Sequence, residues 1–73
     1  MKLIILKEMY LLDSTQSPPK RILYPPGTYH CRRINNPYGE NLPHWLVIEG
    51  TRIGMAEHVL RNHYQNFCQV TDT

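Results

Sequence analysis

The sequence predicts an α+β fold: a small antiparallel β-sheet of three to five short strands packed by one C-terminal amphipathic helix. Three observations carry this prediction. Short runs rich in Ile, Leu, Val, Tyr and Trp alternate with clusters of Pro, Gly and Asn, the punctuation of strands and turns. After Met55 the apolar spacing changes from the strand period to the helical one. The chain has 73 residues, enough for one small core and little besides. Residues 1–67 are expected to form a single compact domain and residues 68–73 a frayed C-terminal tail.

Residues 2–12 read as a strand. The adjacent Ile4 and Ile5 favour extended backbone, and Leu3, Ile5, Met9 and Leu11 share one face under alternation. Lys7 falls on that face, which a bulge near Lys7-Glu8 or an edge position would reconcile. A short helix is the other reading of this run. Residues 13–19 are polar and end in Pro18-Pro19, a loop by composition.

Arg21 to Tyr24 is a brief strand, stopped by Pro25-Pro26-Gly27, where Pro followed by Gly fits the centre of a type II turn. Thr28 to Ile34 is the next strand, with Tyr29, Cys31 and Arg33 on one face and Thr28, His30, Arg32 and Ile34 on the other. Residues 35–41 hold Asn, Pro and Gly together and form the longest loop. Trp45-Leu46-Val47-Ile48 is apolar at every position, which marks a central strand and core residues. Glu49-Gly50 is a hairpin turn, and Thr51 to Ile53 returns. From Met55, the residues Ala56, Val59, Leu60, His63 and Phe67 recur at helical spacing, opposite Glu57, Arg61, Asn62 and Gln65. Glu57 and Arg61 make a favourable i,i+4 pair on this helix of about three turns.

The compartment follows from the N-terminal residues and the cysteines. Met1 to Leu6 begins like a secretory leader, but Lys7 and Glu8 end the apolar run too early for an export signal. No stretch approaches the roughly 18 apolar residues of a membrane span. Cys31 and Cys68 are therefore expected as free thiols in a reducing cytoplasm, a disulfide being the alternative in an oxidising one.

Catalytic and metal chemistry find little support. His58 and His63 are five residues apart, roughly 140° around a helix, so they diverge. His30 and Cys31 are neighbours on a strand and face opposite ways. No nucleophile elbow or phosphate loop occurs, and Arg61-Asn62-His63 lacks the companion ligands of a metal-dependent nuclease. The expectation is a chain with no enzymatic activity, no metal and no cofactor.

Charge is distributed unevenly. Between Ser14 and Gly39 stand Lys20, Arg21, Arg32 and Arg33 with no acid, whereas residues 40–73 set Arg52 and Arg61 against Glu40, Glu49, Glu57 and Asp72. Tyr24, Tyr29 and Tyr38 are interleaved with the basic group. A solvated edge explains this pattern; so does a contact surface, because Arg, Tyr and Trp supply most interface hot spots. The expected partner-binding residues are Lys20, Arg21, Tyr24, Arg32, Arg33, Tyr38 and Arg52. The acidic last third and a pI of 8.7 favour a protein partner over nucleic acid.

Met1 to Leu6, the Tyr24-Pro25-Pro26-Gly27-Thr28-Tyr29 turn and the stretch Trp45 to Tyr64 as hairpin then helix form a recognisable layout. In chain size and order of elements it resembles the small lytic-bacteriophage proteins that bind host RNA polymerase, inhibit initiation and suppress termination. The resemblance implies a stoichiometric inhibitor in the bacterial host cytoplasm. It would dock on polymerase near where the largest subunit meets the σ factor and disfavour promoter complexes. A monomer is expected. The alternatives are a small basic nucleic-acid-binding protein, and a phage inhibitor of another host target such as a defence complex.

Overall fold

The computed structural model describes residues 1–72. Seven strands and one short helix follow one another along the chain: β1 (Lys2–Ile5), β2 (Met9–Asp13), β3 (Lys20–Tyr24), β4 (Gly27–Ile34), β5 (Trp45–Ile48), β6 (Ile53–Ala56), α1 (Glu57–His63) and β7 (Cys68–Thr71). They form one antiparallel sheet in the order β3-β2-β6-β5-β4-β1-β7. The protein is mostly β. This corrects the expected sheet of three to five strands packed by a C-terminal helix.

The sheet is strongly coiled, as its connectivity requires. Ile5 ends β1 and Met9 begins β2, a separation the chain bridges over at most about 14 Å. Yet β6, β5 and β4 lie between those two strands, about 19 Å across if the sheet were flat. The sheet therefore curls back on itself and encloses Leu3, Ile5, Met9, Leu11, Leu46 and Leu60, together with Met55 and both cysteines. The alternation read for Leu3, Ile5, Met9 and Leu11 holds, since all four are buried. The run does not continue as one strand, however. It breaks at Leu6-Lys7-Glu8, and its halves pair with different neighbours: β1 with β4 and β7, β2 with β3 and β6. A charged pair in mid-run marks a strand break here rather than a bulge.

On the opposite face of β5, Trp45 and Val47 form a second, smaller cluster with Ala56, packed by Leu12, Ile34 and Val59. Burial on both faces explains why Trp45 to Ile48 is apolar throughout. The hairpin to β6 is longer than expected. Gly50 does supply a positive φ of 82°, but Thr51 turns back to the Ile48 carbonyl through both its N–H and its hydroxyl, and pairing resumes only at Gly54. Gly27 has φ 158°, far from the roughly +80° of a type II turn, and already opens β4.

The helix is shorter than its apolar spacing suggested and starts later. Met55 and Ala56 belong to β6, opposite Leu46 and Trp45. Their burial on both faces of a strand imitates a helical stripe. α1 has 7 residues, its first N–H is taken by the His44 carbonyl, and Leu60 enters the main core. The chain then reverses where the Tyr64 carbonyl accepts N–H groups from Phe67 and Cys68. Residues 68–71, within the segment expected to fray, form edge strand β7 with Ile5 opposite Cys68 and Leu3 opposite Val70. β1 has a second edge to satisfy, and the terminal residues satisfy it. Thr73, the last residue of that expected tail, lies outside the described residues.

Candidate protein-binding crevice

β2 and β6 are paired only at Leu12–Gly54 and Asp13–Ile53. Towards Met9 on one strand and Ala56 on the other, no pairing continues, and a crevice of about 670 Å³ opens. Met9, Tyr10 and Leu12 line one side, while Met55, Ala56 and Val59 line the other. Trp45, Tyr64 and Phe67 complete the walls, with Glu8 and Arg21 as the charged lining residues. Gly54 stands where the strands converge, and its missing side chain permits the close approach of β5 along the other edge of β6. An ideal Cβ there would overlap the Leu46 carbonyl oxygen and lie 2.8 Å from the Val47 Cα.

Local geometry sets the aromatic walls. Tyr10 alternates out of the core between buried Met9 and Leu11, so its ring is half exposed. The Arg21 guanidinium sits 5.2 Å from the centre of that ring. Tyr64 and Phe67 meet edge to face at 5.8 Å, and the Lys7 ammonium lies 5.9 Å from the Phe67 centroid. Trp45 is only 5% exposed, and its indole N–H is buried without an acceptor among the described residues. Tyr38, from the loop expected at 35–41, packs edge-on to the Trp45 ring at 5.6 Å.

The structure distributes the seven residues expected to bind a partner. Lys20 and Arg21 are exposed on edge strand β3, where Arg21 alone of the set lines the crevice. Tyr24 packs against Tyr29 at 5.2 Å, and burial together with the neighbouring phenol pushes its hydroxyl above the usual tyrosine range. Arg32 is exposed on the outer face of β4, opposite Val47. Arg33, on the other face of the same strand, is committed to Glu57 of α1 through two hydrogen bonds of 2.6 and 2.9 Å. Arg52 lies in the β5–β6 turn, where its carbonyl accepts from the Ser14 N–H and hydroxyl. Tyr38 is half exposed beside Trp45. The set therefore does not form one continuous patch.

Sequence reasoning passed over Glu8, Met9, Tyr10, Met55, Val59, Tyr64 and Phe67 as lining residues, and placed Trp45 in the core alone. The one available signal was Tyr10, a large aromatic at an outward position between two inward ones. No three of the His, Cys, Asp and Glu side chains gather around a possible metal position among the described residues. Cys31 and Cys68 are buried free thiols, and burial raises both above the ordinary cysteine range. No helix among the described residues is long and apolar enough to cross a membrane. No protein-family model, curated protein or solved structure matches the chain.

Proposed function

We propose that the chain is a stoichiometric, non-catalytic binding protein whose docking surface centres on the crevice between β2 and β6, and that its target is bacterial RNA polymerase. The observation that carries the first part is an apolar, aromatic-walled opening on a protein this small. Binding modules concentrate affinity in such aromatic and Arg-bearing depressions. Arg32 and Arg33 face opposite ways on β4 and Arg52 lies in the β5–β6 turn, a dispersal that favours this reading over a phosphate-tracking surface, which needs its cations along one path.

The target rests on the resemblance in layout to phage polymerase-binding proteins. On this reading the protein docks on the largest subunit near the σ interface. Preference for σ-free polymerase weakens σ binding by the same factor, which blocks promoter complexes, and persistence on the elongating enzyme alters termination. The test mixes purified protein with core polymerase, σ and a promoter template. Co-elution with core enzyme and loss of promoter-dependent transcripts is the expected result. Absence of co-elution at micromolar concentrations overturns the polymerase assignment.

A further inference from the structure

We propose that the free edge of β3 pairs with β3 of a second copy of the chain, antiparallel about a two-fold axis at Ile22. The protein then forms a closed dimer in place of the monomer expected from the sequence. The inference is independent of what enters the crevice and of the polymerase target.

β3 ends the sheet, with β2 on one side and no strand on the other among the described residues. Lys20, Arg21 and Leu23 are exposed along it. The ladder decides which backbone groups are free, because successive residues of a strand turn theirs alternately to one neighbour and the other. The Ser14 N–H bonds the Arg52 carbonyl, and Leu12 lies opposite Gly54. The even-numbered residues of β2 therefore turn to β6, while Met9, Leu11 and Asp13 turn to β3. Their partners there are Tyr24, Ile22 and Lys20. Arg21 and Leu23 are left directing both N–H and C=O groups away from the sheet.

The residues around this edge are arranged symmetrically about its centre: Pro18-Pro19-Lys20-Arg21-Ile22-Leu23-Tyr24-Pro25-Pro26. With the axis at Ile22, Arg21 of each copy meets Leu23 of the other, and all the outward backbone groups of both pair. Lys20 meets Tyr24 and Ile22 meets Ile22, so no like charges are opposed. An axis at Arg21 would oppose two guanidinium groups. An axis at Leu23 would set Arg21 against Pro25, which has no N–H to return and whose carbonyl already accepts from the Tyr29 hydroxyl at 2.8 Å.

Apolar surface is covered by the same contact. Leu23 is 48% exposed, and Tyr10, its neighbour across β2, is 50% exposed. In the dimer the aliphatic stem of the second copy's arginine lies beside Leu23 and extends this row. Lys20 and the flanking prolines restrict edge pairing to a short window. A two-fold contact uses that window in both copies, so assembly closes at two. With 5 residues in the strand, against roughly 20–30 a side in a standard interface, the dimer is weak and exchanges rapidly.

Sedimentation equilibrium of the intact chain between about 10 μM and about 1 mM should show a reversible monomer–dimer equilibrium, the range suited to so small an interface. Leu23→Glu sets a carboxylate opposite the second copy's arginine and should tighten dimerisation by about twofold to tenfold. Leu23→Lys opposes like charges and should weaken it by a similar factor. Leu23 is exposed, so both variants retain the native circular dichroism spectrum. Ile22→Cys places two thiols about 4.5 Å apart between Cα atoms, within disulfide range, and copper phenanthroline should link the copies covalently. Lys20→Cys, about 13 Å from its counterpart along the strands, should not crosslink. The native Cys31 and Cys68 are buried and leave this readout clear.

A monomer throughout the concentration range overturns the proposal. So does a dimer on which Leu23→Glu and Leu23→Lys act alike, or one that crosslinks as readily through Lys20→Cys as through Ile22→Cys. Growth beyond two copies overturns the closed contact. If Ile22→Cys fails to fold, the opposite responses of the two Leu23 variants decide alone.

Discussion

Arg33 of β4 grips Glu57 of α1 at two points, Nε to Oε1 at 2.6 Å and Nη2 to Oε2 at 2.9 Å. Arg61, one helical turn on, donates to the same carboxylate at 2.9 Å and reaches Asp72 at 3.3 Å. One acid thus joins a central strand, the helix and the residue that follows edge strand β7. The Glu57 side chain is 16% exposed, so this is the least hydrated ion pair of the described residues, although its arginines keep one side in water.

The Arg33 hydrogen bonds, with Arg61 adding to them, hold the Glu57 carboxyl at about 2, down from an ordinary 4.5. A carboxylate with a depressed folded-state pKa stabilises the fold above its unfolded value, and the contribution is lost as pH falls through the folded value. Denaturation midpoints should be flat above about pH 5 from this cause and decline between about pH 4.5 and about pH 2. Glu57→Gln should cost about 1–2 kcal/mol at neutral pH, discounted for the exposed arginines, and little near pH 2. Urea titrations of both proteins across that range measure the difference. A constant difference at every pH would assign the cost to packing instead.

Gly54 allows β6 to lie between β2 and β5. Gly54→Ala places a methyl group against the Leu46 carbonyl and the Val47 backbone, which have no side-chain freedom with which to yield. The expected loss is roughly 3 kcal/mol or more, a large fraction of what so small a core supplies. Circular dichroism melting checks it. A variant with native stability would mean that the two strands separate at this point without cost.

The fold was legible in the sequence wherever one strand face was buried and the other was not. Leu3, Ile5, Met9 and Leu11 show that alternation and lie inside. It was not legible where burial is two-sided, as at Met55 and Ala56, where a helix and a buried strand leave the same apolar signature. Nor could local pattern reveal β7, whose four residues are extended because β1 offers them an edge. The crevice was hidden for a related reason. It arises from the divergence of two strands remote in sequence, and only Arg21 of its lining had drawn notice as a charged residue. The basic cluster at residues 20–33 is real in sequence, but β3 and β4 carry it to separate parts of the sheet.

The cysteines give a prediction about reactivity. Cys68 lies opposite Ile5, whereas the Cys31 N–H bonds the Met1 carbonyl, so the two occupy opposite ends of β1. That offset is about 13 Å along the strand, beyond the roughly 7 Å that a disulfide tolerates between Cα atoms. Both thiols are buried, and burial disfavours the reactive thiolate. Native protein should react with a thiol reagent at least about a hundredfold more slowly than unfolded protein, through opening of the fold. Oxidant should produce no intramolecular crosslink. Rapid labelling of either cysteine in native buffer would contradict the closed packing of β1 between β4 and β7.

Arg32 and Arg33 are neighbours in sequence with separate work, and charge reversal distinguishes them. Arg33→Glu sets a carboxylate against Glu57 and removes its bidentate partner, so the fold should lose stability measurably. Arg32→Glu changes an exposed residue on the outer face of β4 and should leave stability within about 0.5 kcal/mol. If the polymerase contact extends from the crevice onto that face, Arg32→Glu slows association and steepens none of the unfolding parameters, because rim charges act mainly on the encounter rate. Stopped-flow association with core polymerase at two salt concentrations, beside urea denaturation, separates the effects. Equal destabilisation by both reversals would show that the two guanidinium groups share one structural role.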